Sequence, residues 1–193
     1  MMAVTGKKAP LVRALLMLFI VSYPFLVYFG LSIFPPSFFG LVLVVVLALR
    51  FGLLMPAERK TLLPVLAVFL VYAIAASVLD SARLLLFYPA LVNFTLCLVF
   101  ALSLGSGEPL LLRIVRARGA VISEHAPRYL YWLTLLWSVF FVINGLVSIW
   151  TSTLSMRAWT LYNGLISYFI VAILVAGEWL FRRYYKKRVG GGK

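Results

Sequence analysis

Six apolar stretches, each close to the length that crosses a lipid bilayer, recur along this 193-residue chain, and basic residues gather in every second gap between them. A hydrocarbon layer roughly 30 Å thick takes about 20 residues of helix, and lipid offers no partner to an unpaired backbone amide. A chain built this way is therefore expected to be all-α, a polytopic bundle of transmembrane helices in a single integral membrane domain. The stretches run over about 14–33, 38–55, 61–79, 84–104, 129–150 and 159–181. Composition agrees: 64% of the residues are hydrophobic and 12% are charged, with a mean hydropathy of +1.07, against roughly 45–50% and 25% in soluble domains. A water-soluble core is excluded on these grounds.

Charge orients the bundle. Threaded through six spans, the chain gathers Lys7, Lys8 and Arg13, then Arg50, Arg59 and Lys60, then Arg113, Arg116, Arg118 and Arg128, and finally Arg182, Arg183, Lys186, Lys187, Arg188 and Lys193 on one side. Only Arg83 and Arg157 fall on the other. Basic residues stay cytoplasmic, so both termini are expected there. A five-span threading would put Lys7 and Lys8, or the basic C-terminal tail over 182–193, on the outer face. The net charge of +13 is thus a topology signal, and nucleic acid is not an expected partner. Lys7 and Lys8 before an apolar run also resemble a secretory signal. That run holds Tyr23 and Pro24 and lacks a small-x-small cleavage pattern, so it reads as an uncleaved first span.

Local punctuation refines the picture. Pro35 and Pro36 predict a tight outer turn, and Pro56 an inner one. Arg50 interrupts the second stretch, which reads either as a short span whose arginine reaches the headgroups or as a re-entrant hairpin. Between the fourth and fifth spans, 105–128 is the longest extramembrane segment. Gly105-Ser106-Gly107 stops a helix, Glu108-Pro109 starts another, and Leu110, Leu111, Ile114 and Val115 alternate with Arg113, Arg116 and Arg118. This spacing predicts an amphipathic helix lying on the inner leaflet. Its arginines suit an acidic partner, an acyl carrier protein or a lipid headgroup. They are equally what an ordinary basic loop would carry.

Polar side chains inside the spans call for partners. Asn93, Asn144 and Asn163 lie in spans four, five and six. Trp137, Phe141, Asn144 and Ser148 share one helical face, and Asn163, Ser167 and Leu174 share another. Two readings follow: a hydrophilic pocket between helices, or asparagines bonding across helices to hold the bundle together. Glu178 and Arg182 are spaced to pair within one helix, and Asp80 and Arg83 to pair in the outer turn. Ala73 and Ser77 form a small-xxx-small patch. Tyr129, Tyr131, Trp132, Trp150, Trp159, Trp179, Tyr184 and Tyr185 are expected as interfacial anchors.

Catalytic signals are sparse. Cys97 is the sole cysteine, which excludes a cysteine metal site and a disulfide within the chain, and His125 is the sole histidine, so a histidine metal site or a dyad with Ser123 would have to be assembled without a second one. No phosphate-binding, nucleophile-elbow or zinc-protease motif is present, and no paired carboxylates suggest hydrolysis. No cofactor is implied. A membrane-bound acyl- or glycosyl-transferring enzyme would depend on Glu124, His125 and Glu178. A small transporter or flippase would instead need a wet path along Asn93, Asn144 and Asn163.

The stretch Tyr88-Pro89-Ala90-Leu91-Val92-Asn93, Glu108-Pro109 with the arginine-rich loop, Trp137 through Phe140, Phe141 and Asn144, and Trp159 through Tyr162-Asn163-Gly164 with Glu178 and Arg182-Arg183 resembles a family of small bacterial membrane proteins. Members of that family are encoded in aryl-polyene and related fatty-acid-type biosynthetic clusters. The Trp-x-x-Phe-Phe-x-x-Asn stretch is also similar, more loosely, to the intracellular septation protein A family, which would have fewer spans and a Phe-Lys pair where Tyr162-Asn163 stand. The first resemblance implies an inner-membrane accessory or scaffold of cell-envelope lipid or polyene assembly. It implies recruitment of an acyl carrier protein or acyl-processing enzyme through Arg113, Arg116, Arg118, Arg182, Arg183 and the basic tail. It leaves a homo-oligomer open.

Overall fold

The computed structural model describes Leu18 and residues 21–52, 56–119 and 126–190, the side chains at 50, 56–62 and 184–190 excepted. Among these residues every regular element is helical. They are α1 (Val21–Gly30), α2 (Pro36–Gly52), α3 (Pro56–Val78), α4 (Ala82–Gly105), α5 (Leu110–Ala117), α6 (Ala126–Leu154), α7 (Met156–Leu161) and α8 (Ser167–Gly190), with a π-helical turn over Tyr162–Ile166 joining α7 to α8. Three are long and apolar enough to cross a membrane: α4, α6 and the stretch Met156–Arg183. They mark the chain as a membrane protein. The apolar parts of α1, α2 and α3 are shorter. At about 1.5 Å per residue, the 17 residues of α2 reach roughly 25 Å as one unbroken helix, with no hairpin inside it.

Burial runs opposite to that of a soluble protein. Large side chains such as Phe29, Val71, Leu102, Phe169 and Ile173 face outward, while Thr134, Ser138, Asn144, Ser148 and Thr151 of α6 are buried with Gly145. Lipid tails are as apolar as leucine, so such helices associate through small residues and hydrogen bonds rather than by hiding hydrocarbon. The tightest pair is α4 with α6, followed by α2 with α3. In the second pair Gly40 faces Ser77, and a Cβ on Gly40 would stand 2.6 Å from the Ser77 amide nitrogen. The small patch at Ala73 and Ser77 is where α2 comes close. Tyr23, Val27, Phe39, Leu43, Ala73, Ala76, Leu85 and Trp159 form the apolar core that joins α1, α2, α3, α4 and α7.

The α3–α4 turn differs from the expected Asp80–Arg83 pair. Asp80 sits in the left-handed region at φ 46°, a conformation Asp tolerates better than most residues. There its Oδ1 accepts the Ser37 backbone N–H at 2.7 Å. Helix α2 opens on Pro36, so its first turn has amides without helical partners, and a carboxylate from another hairpin takes one of them. The next residue, Ser81, accepts the Leu84 N–H to cap α4.

Candidate functional site

Pro89 lies inside α4 and cannot donate to the Leu85 carbonyl four residues back. Three successive carbonyls at this break accept donors from three other helices. Leu84 O accepts the Tyr72 hydroxyl of α3, Leu85 O the Tyr23 hydroxyl of α1 at 3.2 Å, and Leu86 O the Trp159 indole N–H of α7 at 2.8 Å. Tyr23 and Trp159 are consequently buried, and Tyr23 packs its ring against Tyr88 at 4.7 Å. This corrects the expectation that Trp159 is an interfacial anchor: it is 0% exposed, whereas Trp132, Trp150 and Trp179 are more than half exposed.

Asn144 of α6 joins three helices. Its Nδ2 donates to Asn93 Oδ1 of α4 at 2.9 Å and to Ser167 Oγ of α8 at 3.0 Å, and its Oδ1 accepts the Tyr162 hydroxyl at 2.7 Å. Gly145 beside it admits the close approach of α4, since a Cβ there would stand 2.9 Å from the Phe94 ring. Asn93 also donates to the Pro89 carbonyl at 2.8 Å. Asn163, expected alongside these two, instead donates within its own helix to the Trp159 carbonyl at 2.9 Å. The π-turn widens the helix there and alters its carbonyl spacing. Ser148, one turn beyond Asn144, is fully buried, and its hydroxyl has no partner among the described residues. Asn144 and Ser167 were both visible on stripes of the sequence. Tyr162 was not, because the π-turn sets its direction.

At the other end of α8, Glu178 accepts Arg182 Nε at 2.9 Å and the Tyr129 hydroxyl of α6 at 2.9 Å. Glu178 is mostly buried, its side chain 13% exposed against 54% for Arg182. The Tyr129 ring stacks on Phe181 at 6.0 Å. The Arg183 guanidinium lies over the Trp179 ring at 5.1 Å. The intrahelical pair was legible from spacing; the tyrosine was not. An open groove of about 580 Å³ runs between α6 and α8 beside this cluster.

Helix α5 completes the candidate surface. Leu112 is buried while Arg113, Arg116 and Arg118 are exposed. Its first turn has no cap of its own, Pro109 being the preceding residue, and Leu110 N–H donates at 2.9 Å to the buried Ser103 Oγ of α4. Arg116 pairs with Glu108 at 2.5 Å. Glu124 and His125 lie outside the described residues. Among the described residues, no group of three or more His, Cys, Asp or Glu side chains stands where it could hold a metal ion. No family model, curated protein or solved structure matches this chain.

Proposed function

We propose that this chain is a six-span protein of the bacterial inner membrane, with both termini cytoplasmic, that serves as an accessory scaffold in cell-envelope lipid or polyene assembly. The observation that carries the proposal is helix α5. It is held against α4 and α6 by Leu112 and by the Ser103 cap, and it turns Arg113, Arg116 and Arg118 outward. A docking surface gains from such a fixed, net basic face, with Arg113 and Arg118 beside the Arg116–Glu108 pair, because complementary charge steers and orients an acidic partner. An acyl carrier protein or acyl-processing enzyme is the partner that fits. Arg182 and Arg183 belong to the same basic end, although Arg182 also pairs with Glu178 and Arg183 stacks on Trp179.

Bonding of the intramembrane polar groups supports a scaffold over a conduit. Asn93 and Asn144 bond to each other, and Asn163 to its own helix. Glu178 likewise is engaged by Tyr129 and Arg182. The test is charge reversal of Arg113, Arg116 and Arg118 to Glu in the full chain. Recruitment of purified acyl carrier protein to vesicles bearing the wild-type chain, lost with the triple variant, is the expected result. Unchanged recruitment would sink the proposal.

A further inference from the structure

The groove between α6 and α8 has an apolar body and a charged mouth. Trp132, Leu136, Ile173 and Leu174 form its walls, Gly177 leaves its floor smooth, and Glu178 and Tyr129 stand at one end. Leu136, Ile173 and Trp132 are substantially exposed, so the groove opens sideways, toward the acyl chains of the surrounding bilayer in the proposed topology. Its mouth is not electrically neutral in detail. The hydrogen bonds from Tyr129 and Arg182 all converge on Glu178 Oε1. Among the described residues Oε2 keeps its acceptor capacity. Arg182 commits Nε and Nη2 and keeps Nη1. A carboxylate oxygen that can accept thus stands at the end of an apolar slot, and a guanidinium nitrogen that can donate lies just beyond it, on the edge of Arg182 turned away from Glu178.

We propose that this groove holds one phospholipid whose headgroup carries a primary ammonium. An acyl chain lies along Trp132, Leu136 and Leu174, the ammonium donates to Glu178 Oε2, and the phosphate accepts from Arg182. A carboxylate and a guanidinium in line suit a zwitterion of opposite order, and a charge-assisted hydrogen bond is the stronger kind. A trimethylammonium headgroup has the same charge but no N–H to donate.

The experiment is native mass spectrometry of the full chain in mild detergent, titrated with phosphatidylethanolamine and phosphatidylcholine of identical acyl chains. Wild type retains the ethanolamine lipid about tenfold better, the worth of one hydrogen bond to a charged group. Glu178→Gln reduces it to the choline level. Gly177→Leu fills the floor and removes both lipids; a Cβ at Gly177 meets no atom within 4 Å, and an unchanged melting temperature separates loss of the groove from loss of the fold. Equal retention of the two lipids by wild type, or a preference that survives both variants, overturns the proposal. The inference rests on the membrane reading and not on carrier docking. A chain with the three α5 arginines reversed is expected to keep the lipid preference, so the two proposals fail separately.

Discussion

Asn144 concentrates more of the bundle's polar bonding than any neighbour, because its carboxamide is fully used: both N–H groups and the oxygen have partners on other turns or helices. Interhelical hydrogen bonds in membranes average about 0.6 kcal/mol, so Asn144→Leu is expected to cost about 2 kcal/mol or more once the stranded Asn93 and Tyr162 groups are included. Asn163→Leu, losing a bond within one helix, should cost well under half as much. Ser148→Ala removes a buried hydroxyl that bonds nothing among the described residues, and it is expected to be neutral or stabilising. Unfolding of the purified variants in graded denaturing detergent ranks the three; a Ser148→Ala loss equal to that of Asn144→Leu would refute the bonding scheme. Asp80 is the second residue with a role its neighbours in sequence do not suggest. Asp80→Asn keeps an oxygen for the Ser37 amide and the tolerance for φ 46°. Asp80→Ala loses both, at about 1–2 kcal/mol, and comparing their melting temperatures checks the cap.

Among elements, α4 is the one whose interruption is put to use. Proline breaks helices because it frees a carbonyl, and here the carbonyls around the break are the attachment points of α1, α3 and α7. This makes a coupled prediction. Tyr23→Phe should cost about 1 kcal/mol in the wild-type chain but close to nothing once Pro89→Ala restores the amide that competes for Leu85 O. A double-mutant cycle returning zero coupling would count against the arrangement. The α2–α3 pair makes another: Gly40→Val forces the helices apart at Ser77 and should cost at least about 2 kcal/mol, read as loss of folded protein on extraction. Much of this was legible beforehand. The positions of the apolar helices followed from hydropathy alone, the Ala73–Ser77 patch from residue size, and the Glu178–Arg182 pair from helical spacing. The asparagine bonding across helices lay on the polar stripes, whereas other contacts that depend on rotation about an axis escaped: Tyr129 to Glu178, Tyr162 to Asn144, Asp80 to Ser37, and the burial of Trp159. Periodicity orders residues around one helix and says nothing of how two are turned toward each other.

At the scale of the whole molecule, the outward-facing apolar side chains and the three long apolar helices mark a membrane protein, and the six-span orientation proposed above is open to direct measurement. Single cysteines at Arg83 and Arg157, in a background where Cys97 is replaced by Ala, should react with an impermeant thiol reagent from outside intact cells. A cysteine at Arg116 should react only after the membrane is opened. Labelling of position 116 in intact cells would reverse the topology. The π-turn over Tyr162–Ile166 sets the phase of everything after it. A helix advances about 100° per residue, so the one surplus residue in that wide turn acts like a tooth added to a gear. It sets how Ser167 and Glu178, which bond Asn144 and Tyr129 of α6, are rotated relative to Trp159 of α7, which bonds Leu86 O of α4. Were the same side chains threaded through an unbroken α-helix, the α4-bonding side of α7 and the α6-bonding side of α8 would fall about 100° out of step. Trp159 on one side of the turn and Ser167 and Glu178 on the other are thus timed by a single irregularity, and a one-residue deletion there sets the two sides against each other.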